Sequence, residues 1–238
     1  MTRHPKVHKL AKMIDHSLLH PTMTDADMTK GCKIALEYDV ASVCIKPYAI
    51  SLAVELLKGS DVLVGTVIGF PQGNSTIDIK VVETVQACKD GAVEIDMVVN
   101  IGKVLQEDWA YVKSEIEAVC KATHAHGAIL KVIFENDYLL EDKHKIKLCE
   151  LCSELGADFV KTSTGYGFVK GADGNYNYKG ATHKDLKLMR AHSADGVQVK
   201  AAGGVRTLDD LLAVQELGVT RIGATATIAI IEAANERF

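Results

Sequence analysis

The stretch LGADFVKTSTG, residues 155–165, opens on a turn and runs into a short apolar strand. Glycine just past a helix is the usual C-terminal stop, so Gly156 marks the end of the amphipathic run before it. Phe159 and Val160 then lead to Lys161, followed by hydroxyls and a glycine. The same unit of helix, glycine turn and short strand recurs. Asp90-Gly91-Ala92 precedes VEIDMVV, His126-Gly127-Ala128 precedes ILKVIFE, Asp195-Gly196 precedes VQVKAAGG, and Leu217-Gly218-Val219 precedes TRIGAT. These near-continuous apolar runs are the pattern of parallel strands covered by helices.

Eight strands can be counted: KMIDHSLL, ASVCIK, DVLVGTVIG, VEIDMVV, ILKVIFE, DFVKTST, VQVKAAG and TRIGAT. Helical patterns fall at roughly 25–38, 47–58, 76–89, 107–125, 140–154, 183–192, 207–217 and 225–236. Capping residues mark three starts, Thr24 before DADM, Ser75 before TIDIK and Thr207 before LDDLL. Eight β/α units in 238 residues predict an α/β fold, a single (β/α)8 TIM-barrel domain spanning 1–238. A doubly wound open sheet is the alternative, because alternation alone does not show closure. Residues 167–181, GFVKGADGNYNYKGA, read as a long loop on the face where barrels carry chemistry.

Composition narrows the function classes. A net charge of −4 with no basic run leaves no electrostatic footprint for nucleic acid. No apolar stretch approaches the ~20 residues that span a bilayer, and MTRHPKVHKL lacks the apolar centre of a signal peptide, so no membrane partner is expected. The expected location is the cytoplasm, with Cys32, Cys44, Cys88, Cys120, Cys149 and Cys152 as reduced thiols. Cys149 and Cys152 share one apolar helix face and read as core packing, since no second ligand pair accompanies them. Trp109 reads as packing, and His124 and His126 as residues suited to a helix C-terminus.

Polar residues interrupt the strands at matching depths. Glu94 and Asp96 share a strand face. Asp96, Lys131, Lys161 and Lys200 each stand four or five residues past a turn glycine, a spacing that predicts a similar height in a barrel. Helices cover the outside, so these groups are expected to point inward. For Asp96 an interior ion pair without chemistry is an equal reading. Two lysines on neighbouring strands are a poor stabiliser, because like charges repel and each lowers the other's pKa. They are well suited to making a neutral amine nucleophile, with a carboxylate to move protons.

The glycines add a second constraint. Gly203-Gly204 ends the seventh strand and Gly223 the eighth, and both open onto helices whose bare N–H groups form the usual barrel phosphate site. The TSTG run, with Thr164 and Gly165, can add hydroxyls and amides. The expected chemistry is attack by an amine on the carbonyl of a phosphorylated small molecule, with no metal required.

From about Met13 to Ile230 the chain resembles the deoxyribose-phosphate aldolase family, through IDHSLL, SVCIKP, GFPQGN, EIDMVVN, LKVIFE, FVKTSTGY, VKAAGGVRT and RIGAT. The resemblance implies a class I aldolase on a TIM barrel, reversibly cleaving 2-deoxy-D-ribose 5-phosphate to D-glyceraldehyde 3-phosphate and acetaldehyde, without cofactor or metal. It implies Lys161 as the Schiff-base lysine, Lys200 as the cation lowering its pKa, and Asp96 with a water in proton transfer. Lys131 would pair with Asp96 or Lys161. Cys44 would line the pocket, or serve only as a small buried residue. Asp15 would lie near the substrate hydroxyls, or with His16 only organise the first strand. The phosphate would meet Gly165, Gly203, Gly204, Gly223 and Thr225. A homodimer or higher homo-oligomer is the family expectation. The chain departs from the family at Tyr166, where some relatives place a lysine that Lys170 or Lys179 could replace. It also departs at Ala226, where a serine is frequent, and at Phe238, where some members end near a tyrosine. Another Schiff-base aldolase, or a non-catalytic sugar-phosphate binder, stands as the alternative.

Overall fold

A computed structural model describes residues 4–238, so the first three residues of the expected 1–238 domain lie outside the described residues. Eight parallel strands form a closed barrel: β1 (Ile14–Leu18), β2 (Ser42–Ile45), β3 (Leu63–Ile68), β4 (Glu94–Val98), β5 (Ile129–Ile133), β6 (Phe159–Lys161), β7 (Gln198–Ala202) and β8 (Val219–Ala224). β8 pairs back onto β1, Asp15 against Gly223, which excludes the open sheet. The helices are α1 (Pro5–Ala11), α2 (Asp25–Glu37), α3 (Ile50–Leu56), α4 (Ile77–Lys89), α5 (Ile101–Leu105), α6 (Trp109–His124), α7 (Asp142–Leu155), α8 (His183–His192), α9 (Leu208–Glu216) and α10 (Thr227–Arg237).

Alternation along the strands sorts two interiors. One set of residues, among them Val43, Ile95, Met97, Val132, Val160 and Ile222, packs with Met28, Cys32, Ile116, Leu186 and Ile231 of the helices in one apolar layer. Cys149 and Cys152 are buried in that layer, as their spacing predicts, and the six cysteines are unbridged. The other set faces the barrel axis and is charged. Lys131 of β5 reaches Asp15 of β1, and Arg221 of β8 reaches Glu94 of β4. Each pair joins strands on opposite sides of the ring, so the contacts run through its interior.

Several local expectations change. Thr24 and Thr207 form capping boxes, but α4 starts after Thr76 rather than Ser75, and Thr76 makes no side-chain cap bond. Residues inside α4 secure the segment ahead of it instead: Lys80 donates to the Gly73 carbonyl at 2.8 Å, and Glu83 accepts from Gly69 N–H at 2.8 Å. Residues 47–58 split into a 3-10 turn over Pro47–Ala49 and α3. α1 and α5 are additional. Within 167–181 the expected loop contains a hairpin, Val169–Lys170 against Tyr176–Asn177, turning through Asp173-Gly174 with Gly174 at φ 80°. The equal-depth expectation also needs correction. Asp96 registers with Lys131, but Lys161 registers with Ile133 and Lys200, so Lys131 sits two residues deeper. Strand stagger in a tilted barrel breaks the match between turn spacing and height.

Candidate active site

The C-terminal ends of the strands surround a cavity of about 550 Å³. Asp15, Cys44, Lys161, Thr164, Gly165, Lys200, Gly203, Gly204, Gly223 and Thr225 all line it. Asp96 and Lys131, the two other expected site residues, do not line it and connect to it through the charge cluster.

Asp96 is the centre of that cluster. Its Oδ2 accepts from Lys161 Nζ at 2.8 Å and from Lys200 Nζ at 2.7 Å, and its Oδ1 lies 3.3 Å from Lys131 Nζ. Asp15 bonds Lys200 at 2.5 Å, Lys131 at 3.0 Å, Ser42 Oγ at 2.8 Å, and Arg221. Glu94 bonds Lys131 at 2.5 Å and Arg221 at 2.8 Å. Lys131 thus pairs with Asp96 and two further carboxylates. Asp15 lines the cavity and anchors the network at once. The Phe159 ring lies under this group, 5.8 Å from Lys131 Nζ and 5.9 Å from the Arg221 guanidinium.

Four basic side chains here meet three carboxylates, Asp15, Glu94 and Asp96. Fully charged, the cluster would hold one uncompensated positive charge out of water, and the least costly relief is loss of a proton. Lys161 is the base with fewest partners: its one ion pair is with Asp96, while Lys131 meets three carboxylates, and Lys200 and Arg221 two each. Burial pushes the Lys161 pKa down, Asp96 opposes this, and Lys200 lowers it further. Burial acts downward on Lys200 too, but Asp15 and Asp96 outweigh it and hold its pKa above the ordinary value. The expectation that each lysine lowers the other's pKa is therefore corrected: Asp15 keeps Lys200 cationic, and Lys161 alone is weakened as a base. Burial would raise Asp96, but Lys131, Lys161 and Lys200 hold its carboxyl well below the usual range. Burial pushes the Cys44 thiol up to about 11, so it lines the cavity as a neutral group.

Around the amine the cavity has two characters. Leu19, Cys44 and Val67 form a small apolar cluster with Phe70 and Tyr166, and the Tyr166 ring stands edge-on to Phe70 with centroids 5.6 Å apart. The other end is backbone-rich. Gly203 and Gly204 have φ of 78° and 88°, left-handed conformations that favour glycine. Arg206 lines this end. Lys170 and Lys179 do not line the cavity; the segment after β6 instead contributes Tyr166, Phe168 and Tyr178. Ala226 is the N-cap of α10 and makes no side-chain cap bond, while Thr225 faces the cavity. Phe238 lies under Lys6, whose Nζ is 3.6 Å from its ring centroid, away from the cavity lining. His16 bonds Thr227 Oγ1 at 2.8 Å and ties β1 to α10. Among the described residues no group of three or more His, Cys, Asp or Glu is placed to hold a metal ion.

Sequence reasoning missed Arg221 and Arg206. Arg221 stands two residues before Gly223, on the same strand face, and that alternation was the available signal. Arg206 follows the Gly203-Gly204 pair directly in AAGGVRT, but nothing local shows where its side chain points. Arg221→Met is expected to destabilise the fold by about 3–5 kcal/mol, because Asp15 and Glu94 lose a buried partner. Urea denaturation followed by circular dichroism checks this, and an unchanged midpoint would contradict it.

A model of the DeoC/LacD family of aldolases matches residues 9–228. A deoxyribose-phosphate aldolase of Rhodopirellula baltica is 51% identical over 231 residues, 97% of this chain and 91% of that protein. One of Caldanaerobacter subterraneus is 50% identical over 94% of this chain and 92% of its own. A deoxyribose phosphate aldolase from Aeropyrum pernix, described as a unique tetramer, superposes with a TM-score of 0.85 at 27% identity, covering 99% of this chain and 95% of that one. With its barrel closed, its charge cluster assembled and about half its residues shared with the first two of these relatives, the chain belongs to the DeoC/LacD family of aldolases.

Proposed function

We propose that this aldolase reversibly cleaves 2-deoxy-D-ribose 5-phosphate to D-glyceraldehyde 3-phosphate and acetaldehyde through a Schiff base on Lys161. The observation that carries this reading is the sharing of one Asp96 oxygen by Lys161 and Lys200, in a cavity that glycine-rich backbone also lines. The free amine of Lys161 attacks the C1 aldehyde of the open-chain sugar. Loss of water then gives an iminium, with Asp96 and a water moving the protons. Removal of the C3 hydroxyl proton lets the C2–C3 bond break. Its electron pair flows into the iminium to form an enamine, and glyceraldehyde 3-phosphate leaves. Protonation of the enamine carbon and hydrolysis release acetaldehyde and restore the amine.

In this reading Lys200 supplies the fixed positive charge beside the nucleophile. Lys131 and Asp15 orient Asp96 and Lys200, and Cys44 closes the apolar side. Thr164, Gly165, Gly203, Gly204, Gly223 and Thr225 present hydroxyl and backbone groups to the phosphate. Arg206, which lines the same cavity, provides a positive charge. Arg206→Ala is expected to raise KM for deoxyribose 5-phosphate about 10- to 100-fold, the scale of a lost charged hydrogen bond. The kcat should change little, and steady-state kinetics reads both.

The test of the function is borohydride reduction in the presence of deoxyribose 5-phosphate, followed by mass mapping. An adduct on Lys161, with preferred cleavage of this sugar among a panel of phosphorylated sugars, supports the reading. No adduct, or preference for another sugar phosphate, overturns it. We further propose a single barrel domain over 1–238, a homo-oligomer and a cytoplasmic location. A relative described as a tetramer supports the second. For the third, no helix among the described residues is long and apolar enough to cross a membrane. Light scattering tests the assembly.

A further inference from the structure

The pairing of β5 with β6 continues past Ile133. Phe134 N–H donates to the Lys161 carbonyl at 2.9 Å, and Asn136 N–H to the Thr162 carbonyl at 2.9 Å. Between them Glu135 leaves the extended conformation for the left-handed region, with φ 60°. A residue with a side chain adopts that region only at a cost, and such outliers concentrate where position matters for function. The turn aims the Glu135 carboxylate at the segment that follows Lys161.

That carboxylate is 1% exposed. Thr164 N–H donates to both of its oxygens at 3.3 Å, and Thr164 Oγ1 donates to Oε2. Thr164 Oγ1 in turn accepts from Tyr166 N–H at 2.9 Å. Gly167 closes over the same group: a Cβ there would stand 2.6 Å from the Glu135 Cδ. No lysine or arginine among the described residues forms an ion pair with Glu135. A buried carboxylate held by one threonine is a costly way to tie down a loop, and an apolar contact would do it more cheaply. What the carboxylate offers instead is a fixed position for the backbone from Thr164 to Gly167. Thr164, Gly165 and Tyr166 line the cavity, whereas Glu135 does not.

We propose that Glu135 is a positioning residue that holds the Thr164–Gly167 segment in the shape that receives the phosphorylated substrate, with no ion pair to Lys161. The inference rests on the aldolase reading above. It separates two functions that lie close in the chain: the amine on β6, and the loop three residues later that grips substrate.

The experiment compares Glu135→Ala and Glu135→Gln with the parent enzyme in two assays. One is steady-state cleavage of deoxyribose 5-phosphate. The other is the rate of borohydride trapping at Lys161 with acetaldehyde alone, which carries no phosphate. Glu135→Ala should raise KM about tenfold or more, the scale of losing a hydrogen bond to a charged acceptor. The amide of Glu135→Gln, which keeps one acceptor oxygen, should restore part of it. Trapping with acetaldehyde should stay at the parent rate in both. An unchanged KM overturns the proposal. So does a trapping rate that falls in step with kcat/KM, because the carboxylate would then be acting on the amine. If Glu135→Ala does not fold, Gly167→Ala pushes the same segment off the carboxylate from the other side, and it must raise KM with trapping intact; an unchanged KM there overturns the proposal as well. Absence of an acetaldehyde adduct in the parent enzyme would defeat the aldolase reading instead, and is read separately.

Discussion

Replacing Lys161 with arginine is expected to abolish adduct formation and to lower turnover on the order of 10⁴-fold or more, the scale of removing a covalent nucleophile. A guanidinium keeps its proton at any working pH and cannot attack a carbonyl as a free amine. It also keeps a positive charge beside Asp96 that the free amine of Lys161 does not carry, whereas Lys161→Met removes the amine without adding a charge. Loss of activity in the two variants alike, with folded circular dichroism spectra, assigns the effect to the amine itself. Residual turnover near the parent rate in Lys161→Arg would place the nucleophile elsewhere.

Lys200→Met is expected to shift the acidic limb of the pH–rate profile to higher pH and to lower kcat at neutral pH about 10- to 1,000-fold, the span set by removing one charge a few ångströms away. The sign follows from the partners. Burial and the Lys200 cation lower the Lys161 pKa, and Asp96 opposes them. Without Lys200 one depressing charge is lost, and Asp96 has one cation fewer to satisfy it, so it holds the Lys161 proton more firmly. Both changes raise the Lys161 pKa, and the free amine appears only at higher pH. The profile of kcat/KM against pH checks this. An acidic limb that stays in place would show that Lys200 does not tune the nucleophile.

Much of this site was legible along the chain because strand alternation has a short, local period. Glu94 with Asp96, and the depth of Lys161 and Lys200 past their glycines, follow from two-residue alternation and turn position alone. Lys161 and Lys200 do register directly against each other. Lys131 shows the limit of that reasoning: it has the same spacing, yet it lies two residues deeper because the strands stagger. The Lys80–Glu115 pair, fully buried between α4 and α6 at 2.6 Å, carried no local signal, since a lysine on an amphipathic helix ordinarily reads as solvated. Glu135 looked like the end of an apolar strand, and its left-handed turn depends on what the loop after β6 requires of it.

Sequence by itself determined the eight β/α units, the charged faces of their strands and the lysines and glycines that come to line one cavity. These depend on periods of two and 3.6 residues and on the conformational freedom of glycine, all readable within a short window. Tertiary structure alone decided which charge meets which. Arg221 and Glu94 are 127 residues apart in the chain and become partners only because closing the ring sets β8 across from β4. The same closure gives Lys200 a second carboxylate, Asp15, and leaves Lys161 with one. The pKa of a buried amine is set by the charges within a few ångströms of it, and in a barrel those come from strands that the local pattern does not relate.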